Sequence, residues 1–404
     1  MERTEFLIVG CGPAGATAAR EAARRGLATV VLERDAVVGA KRVCAAGLRP
    51  GFCRTFDLPE RLVHCDTPRL ALFDAGAHEY ETFFGPGHTS TREELDGTMA
   101  ALAASDGAEI RTRALFRTVK NERDYAVVEY ADLTSGERRK IAARAVFLAP
   151  GATARLEDPS FGRLAMARWR DGLITTLQYR VYLDRPAAPI AYETLELHYY
   201  CSSDGRPVIA WMFPKRDHLA IGLGVMGKID GASLRAELER FTERVQRRLY
   251  PRAAVTRLKV EGHLLYGGPA RRCVADGRVL AGGTAAGFVD ATNGEGIFEA
   301  AMSGRVAADA VARRDRVAER YSRAIAQRFK RRLQHRVMLM RYLERRPSRY
   351  ASLFAQMVST PRLTEVLLKD DCERSFSERA FLYREALRFW VNTSAATSRL
   401  PTRP

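Results

Sequence analysis

The sequence predicts a mixed α/β fold, with a Rossmann-type dinucleotide-binding domain, an inserted antiparallel sheet and a helical C-terminal region. Three observations carry this. A glycine-rich turn stands between a short apolar run and an Ala-rich stretch at the start of the chain, the pattern of a buried parallel strand feeding a helix. Long β-rich runs gather between residues 170 and 225. Residues 313–395 then read mainly as helix. The length of 404 residues suits two or three domains. With 46% hydrophobic and 28% charged residues, the composition excludes disorder, collagen-like repeats and coiled coil.

Phe6-Leu7-Ile8-Val9 is the first strand, Ala14–Arg25 the first helix and Ala28–Leu32 the next strand, a β-α-β unit. Residues 68–84 alternate as strands, Arg92–Ser105 is helical, and Val127–Leu148 reads as a hairpin around Thr134-Ser135-Gly136 before an apolar strand. Leu173–Leu183, Ala191–Tyr200, Pro207–Met212 and Leu219–Val225 form the second sheet. A helix at 231–249 precedes a glycine-rich strand-loop-helix at 278–312, which rejoins the first domain. The expected division is 1–165 with 255–312, 166–254, a helical region 313–395 and a tail 396–404.

Gly10-Cys11-Gly12-Pro13-Ala14-Gly15 is G-x-G-x-x-G between a strand and a helix. The first glycine makes the tight turn, the second admits a pyrophosphate to the backbone, and the third lets helix and strand approach. The helix N-terminus offers unpaired N–H groups and partial positive charge to phosphate. Glu33, with Arg34 beside it, ends the second strand where an acid accepts hydrogen bonds from ribose hydroxyls. NAD and FAD both use this unit. A second cluster, Ala281-Gly282-Gly283-Thr284-Ala285-Ala286-Gly287-Phe288 followed by Asn293-Gly294-Glu295-Gly296-Ile297, supplies the further wall that a flavin dinucleotide needs, and points to FAD.

At this cluster the chain resembles the geranylgeranyl reductase family, which has the para-hydroxybenzoate hydroxylase fold and carries G-D-A-A-G-F and then G-E-G-I. Further segments agree. Lys41-Arg42-Val43-Cys44-Ala45-Ala46-Gly47-Leu48 is similar to the family's K-x-C-G-G-G-L, which passes beside the flavin ring. Thr91-Arg92-Glu93-Glu94-Leu95-Asp96 is similar to its R-x-x-F-D helix start, whose arginine faces the cofactor. Trp211-Met212-Phe213-Pro214, seven residues and then Gly222-Leu223-Gly224 match Y-x-W-x-F-P-x7-G-x-G, with Ile209 in place of the tyrosine. The basic helices from Ala318 to about Trp390 resemble those of the branch acting on chlorophyll and bacteriochlorophyll tails. The resemblance implies an FAD-binding domain, an antiparallel substrate-binding sheet, and saturation of isoprenoid double bonds, with NAD(P)H as a transient electron donor. It also implies that Cys44 is the candidate catalytic side chain, and that Trp211, Phe213 and Pro214 meet the prenyl substrate.

Three departures bear on the cofactor. The family's Asp in G-D-A-A-G is Thr284, its A-D-G segment is Ala149-Pro150-Gly151, and the glycine pair after Cys44 is Ala45-Ala46. Losing one charge-assisted hydrogen bond of about 1.5–3 kcal/mol would weaken binding roughly ten- to a hundred-fold. Two alternatives follow: a flavin monooxygenase on the same fold, and a non-catalytic descendant binding a prenyl pigment. Tyr199 and Tyr200 stand as proton donors of equal standing, since spacing distinguishes neither.

The net charge of +17 suggests an anionic partner such as a membrane surface, a diphosphate or nucleic acid. Residues 311–350 hold fourteen Arg or Lys against three acids, with Tyr321, Ile325, Phe329, Leu333 and Val337 at i+4 spacing. That stripe either docks on a lipid surface or packs on the protein. No helix-turn-helix, zinc or aromatic RNA signature accompanies the charge, so nucleic acid is not expected. The seven scattered cysteines give neither a disulfide framework nor a metal site and read as reduced thiols. No apolar run spans a bilayer, and the N-terminus does not suit a signal peptide. The expected location is cytoplasmic or peripheral at the inner face of the membrane; nothing in the sequence sets an oligomeric state.

Overall fold

The computed structural model describes residues 1–40, 44–153, 159–166, 168–227 and 229–397. Lys41-Arg42-Val43 of the expected cofactor segment and residues 398–404 of the expected tail lie outside the described residues. Two sheets organise the chain. The first is built on parallel strands: Glu2–Val9 lies between Arg138–Leu148 and Thr29–Leu32, with Val279–Ala281 beyond the former and Glu109–Arg111 beyond the latter. Phe6, Leu7, Ile8, Phe147 and Leu148 are fully buried, as apolar runs in a strand covered on both faces must be. The hairpin of Ala114–Asn121 and Ala126–Asp132 joins through an antiparallel edge.

The second sheet runs Val255–Tyr266, Leu173–Leu183, Leu219–Met226, Pro207–Pro214, Thr194–Cys201, Cys65–Phe73, Glu79–Thr89 and Gly47–Leu48. It corrects the expectation in two respects. It is mixed, because Thr194–His198 pairs parallel with Arg69–Phe73. It also recruits residues 47–89 and 255–266, which the sequence division places with the first sheet. Val255–Tyr266 is an edge strand whose outer half is exposed, so its alternation of charged and apolar residues carried little burial signal. Ala191–Glu193, the start of an expected strand, belongs instead to the short helical turn Ile190–Glu193.

Each face of the second sheet has a cover. Val208, Ala210, Met212, Ile221 and Leu223 point to the Gly231–Leu249 helix, which presents Leu234, Leu238, Phe241 and Val245. The opposite face meets the C-terminal helices Arg331–Glu344, Arg349–Ser359, Pro361–Leu368 and Phe376–Thr397 through Leu343, Tyr350, Phe354 and Phe389. The last helix runs on to Thr397, so the start of the expected tail is helical. The basic segment takes the packed alternative: Tyr321, Ile325, Phe329 and Leu333 join the main core, and Val337 packs with Ala291 and Met340. Ala326–Lys330, between the helices Val317–Ile325 and Arg331–Glu344, is a π-helical turn.

Candidate functional site

The first glycine turn takes the form its sequence demands. Gly10 sits at φ +89° with Ala149 O only 2.4 Å from where a Cβ would stand, and a Cβ on Gly15 would lie 1.8 Å from Gly10 O. Gly12 differs: its nearest neighbour would be Arg92 Nη2 at 3.6 Å, so it faces an open crevice. Pro13 and Ala14 begin the Pro13–Ala23 helix, and no side chain caps its first turn. Glu33 closes the adjacent strand, its carboxylate accepting from the backbone N–H of Cys11 at 2.8 Å and of Asp35 at 2.9 Å. Arg34 points outward to Asp35 at 3.1 Å. Burial pushes the Cys11 thiol up, and the nearby Glu33 and Asp96 charges add to it.

Arg92 opens the Arg92–Ser105 helix behind the N-cap Thr91, whose hydroxyl accepts from Glu94 N–H. A bidentate pair with Asp96, at 2.8 and 2.5 Å, fixes its guanidinium across the crevice from Gly12. Thus residues 80 positions apart, expected to face one cofactor, stand opposite one another. The second glycine cluster joins them. A Cβ on Gly283 would be 3.1 Å from the Ala14 Cβ, and one on Gly304 of the Ile297–Ala312 helix 2.1 Å from Ala14 O. Thr284 lies half-buried in the turn Gly283–Ala286, which Gly287 ends at φ +77°. Gly294, Glu295 and Gly296 lead into the second helix at Ile297, again with no side-chain cap.

Two uncapped helix N-termini, an open approach at Gly12 and a carboxylate at the strand end fit a dinucleotide with its pyrophosphate on the first helix and its ring near the second. Glu295 fits differently from the expectation. Its carboxylate is held by Arg49, which also pairs with Glu299, so residue 295 contributes backbone to the crevice and its side chain to a buried ion network. Arg332 joins that network at Glu299, 2.8 Å away.

Cys44 is half-buried at the crevice wall, its Sγ 3.3 Å from Ala46 N. The Ala45 carbonyl accepts from Lys215 Nζ, and Gly47 would clash with Phe213 Cε2 at 2.6 Å if it carried a Cβ. Ala46 lies at φ +44°, a left-handed conformation where the resembling segment has glycine. Pro214 is buried at the end of its strand, and Lys215 directly behind it is buried as well. Burial lowers the Lys215 ammonium to about 7.

Cys44–Arg49 and Asn293–Ile297 also line a cavity of about 960 Å³ between the second sheet and the C-terminal helices. Alternate residues of the sheet strands supply its floor, among them Leu72, Leu197, Tyr199, Trp211 and Phe213. Leu339, Leu353, Met357, Leu367 and Phe389 form the roof. Tyr199 and Tyr200, equivalent in the sequence, part here. Tyr199 faces the cavity and donates to Thr292 O at 2.9 Å; Tyr200 lies on the other face under the Arg244 guanidinium. Arg49, Asp96, Lys215 and the roof leucines are the site residues that sequence reasoning missed.

Residues 5–92 match the FAD dependent oxidoreductase family. The chain is 29% identical over 331 residues to geranylgeranyl diphosphate reductase of Oryza sativa subsp. japonica, covering 76% of this chain and 66% of that one. It is 26% identical over 361 residues to digeranylgeranylglycerophospholipid reductase of Thermoplasma acidophilum, covering 82% and 85%. The chain therefore spans about two thirds of the rice protein's length. Among solved structures, a geranylgeranyl bacteriochlorophyll reductase-like protein from Thermoplasma acidophilum superposes with TM-score 0.72 at 20% identity, covering 95% of this chain and 96% of that one. A flavin-dependent brominase gives TM-score 0.72 at 17% identity, covering 97% and 100%. These two establish the fold. The crevice geometry, the matched motifs and the relatives agree: the N-terminal part of the chain is similar to FAD dependent oxidoreductases, and most of its length is similar to geranylgeranyl reductases.

Proposed function

We propose that the chain saturates carbon–carbon double bonds of a geranylgeranyl or related isoprenoid chain, carried by a diphosphate, a bacteriochlorophyll or a lipid. The observation that carries this is a continuous cavity lined from Cys44–Gly47 and Asn293–Ile297 at the cofactor crevice to an apolar vault of sheet and helices. Its volume of about 960 Å³ stands at the upper end of small-molecule pockets, which suits a long apolar substrate. FAD, when bound and reduced, supplies a hydride. The protein does the rest. Gly12 and the first-helix N–H groups hold the pyrophosphate, Glu33 the ribose, and Arg92 the crevice wall. Leu72, Leu197, Trp211 and Phe213 hold the alkene in a dry channel. An isolated alkene accepts hydride only as a proton reaches its other carbon, so an acid must face the same space. Cys44 stands where cavity and crevice meet and takes that role in this reading; Tyr199, further along the floor, is bound to Thr292 O. NAD(P)H reloads the cofactor transiently, an expectation that rests on the resemblance.

The test is anaerobic turnover of geranylgeranyl diphosphate and of a geranylgeranyl lipid by dithionite-reduced holoprotein, with products read by mass spectrometry. Products heavier by two hydrogens per reduced bond support the reading. Turnover that needs oxygen and adds an oxygen atom replaces it with monooxygenation. Cys44→Ser should keep the flavin spectrum and lower turnover at least about ten-fold, within the range of a lost general acid; unchanged turnover removes Cys44 from the chemistry.

A further inference from the structure

The stripe of the basic segment is spent on the core, yet an apolar face does remain uncovered, one helix further on. The Phe376–Thr397 helix buries Phe381, Glu385 and Phe389 on one side. At 3.6 residues per turn, the opposite side carries Phe376, Tyr383, Leu387, Trp390 and Val391 within an arc of about 100°. These are exposed by 87%, 65%, 65%, 47% and 58%. A helix that is apolar on both sides is expected in a core or at a lipid interface.

Charge selects the occupant. Exposed Arg379 flanks the arc on one edge, and exposed Arg384 and Arg388 flank it on the other. The helix's two acids are elsewhere: Glu385 is buried, and Glu378 is bound to Lys369 at 2.6 Å. Exposed Arg346 lies 4.9 Å from the Tyr342 ring, which packs 4.4 Å from Trp390, so a cation and two aromatic rings meet at one corner. Aromatic and basic side chains in this arrangement belong at the boundary between acyl chains and head groups. The same corner is the mouth of the cavity: Tyr383, Trp390 and the 69% exposed Met338 all line it.

We propose that this outer face of the Phe376–Thr397 helix docks on an anionic lipid bilayer and brings the cavity mouth to the acyl layer, so that the apolar substrate enters from the membrane. No described helix is long and apolar enough to cross a bilayer, so docking is peripheral. Vesicle binding is read without turnover, and its failure leaves the redox reading standing.

The full chain is co-sedimented with vesicles of equimolar phosphatidylcholine and phosphatidylglycerol, and with pure phosphatidylcholine. Binding to the mixed vesicles that weakens at high salt, and at least about ten-fold in Leu387→Ser/Val391→Ser, is the expected result, since each lost apolar side chain removes buried area. The variant should keep its FAD content and circular dichroism, because neither residue lines the cavity. No binding of the parent chain, or equal binding by the variant, overturns the proposal. So does a dimer in sedimentation velocity that the double substitution dissolves, which would mean that a second copy covers the face. Parent binding lost only on removal of residues 398–404 would overturn it in favour of the basic terminus.

Discussion

Gly222→Ala tests the cavity without touching the cofactor crevice. A cross-strand row on the cavity face runs Gln178, Gly222, Trp211, Leu197. Trp211 lies over Gly222, and its Nε1 donates to Gln178 Oε1 at 2.9 Å on the far side. The glycine is therefore the floor on which the indole rests. A Cβ there would stand 2.4 Å from Trp211 Cζ2, 2.5 Å from Cε2 and 2.8 Å from Nε1. Carbon atoms in contact sit roughly 3.5–4.0 Å apart, so the ring must withdraw by about 1 Å or more. The strands hold the backbone from either side, and the withdrawal goes into the cavity.

Overpacking of this kind costs about 2 kcal/mol. If the ring withdraws, the bond to buried Gln178 breaks at a similar cost, because the amide oxygen loses its donor. About 2 kcal/mol is roughly thirty-fold in an equilibrium constant. Two readouts follow. In a chain of this length Tm falls by roughly 2–4 °C, and KM for a prenyl substrate rises roughly ten- to thirty-fold while flavin content stays stoichiometric. Trp211→Phe added to Gly222→Ala should recover only part of the lost Tm, since the smaller ring leaves room for the methyl while Gln178 Oε1 still lacks its donor. A variant with parent Tm and KM refutes the reasoning, and so does one that loses flavin, because the row would then belong to the cofactor site.

The remaining predictions concern the crevice. Gly12→Val fills the opening that Arg92 bounds, so flavin binding should be lost with circular dichroism unchanged; a variant that still purifies yellow would displace the pyrophosphate from this turn. Thr284→Asp restores the carboxylate of the resembling motif and should tighten FAD roughly ten-fold, read by equilibrium dialysis; no change would break the alignment there. Ala46→Gly relieves a left-handed Cβ worth about 1 kcal/mol and should raise Tm by roughly 1–3 °C. Lys215 tests the burial argument by pH. Its folded value, near 7, lies below the ordinary 10.5, so between them the unfolded chain binds a proton that the folded chain does not, and stability rises with pH across that window. Lys215→Met should abolish that rise in urea unfolding, and a parallel pH dependence in both proteins would place the lysine in water.

What the sequence shows and hides follows from the forces involved. The two glycine clusters were legible because the local backbone demands glycine: Gly10 and Gly15 are dictated by contacts with Ala149 and with each other. The i+4 stripe from Tyr321 to Val337 predicted a helix correctly, but periodicity states that a face is apolar and not what covers it. Its cover proved to be the protein, and the uncovered face lay on Phe376–Thr397, where apolar residues occur on both sides and the periodic contrast vanishes. Lys215 gave no signal because lysine is ordinarily exposed. Arg49 and Glu299 are 250 positions apart, and nothing local pairs them.

That distant pairing bears on how the halves of the site stay aligned. Arg49 follows the Cys44–Gly47 wall, Glu295 and Glu299 straddle the start of the Ile297–Ala312 helix, Arg332 comes from the C-terminal roof, and Asp370 lies in the loop before the last helix, 3.7 Å from Arg332. Arg49, Glu299, Arg332 and Asp370 are buried and Glu295 is half-buried, and a buried ion pair adds little net stability over an apolar replacement, since desolvation offsets the attraction. Breaking one partner is a different matter, because it strands a charge out of water. The network is thus poor at strengthening the fold and good at forbidding alternatives. The contact of Arg332 with Glu299 ties the roof helix Arg331–Glu344 to the first turn of the Ile297–Ala312 helix beside the crevice. Burial also raises the Asp370 carboxyl to about 6 and raises the Glu295 carboxyl, so burial opposes charge at both ends of the network, at the Cys44–Gly47 wall and in the loop before the Phe376–Thr397 helix.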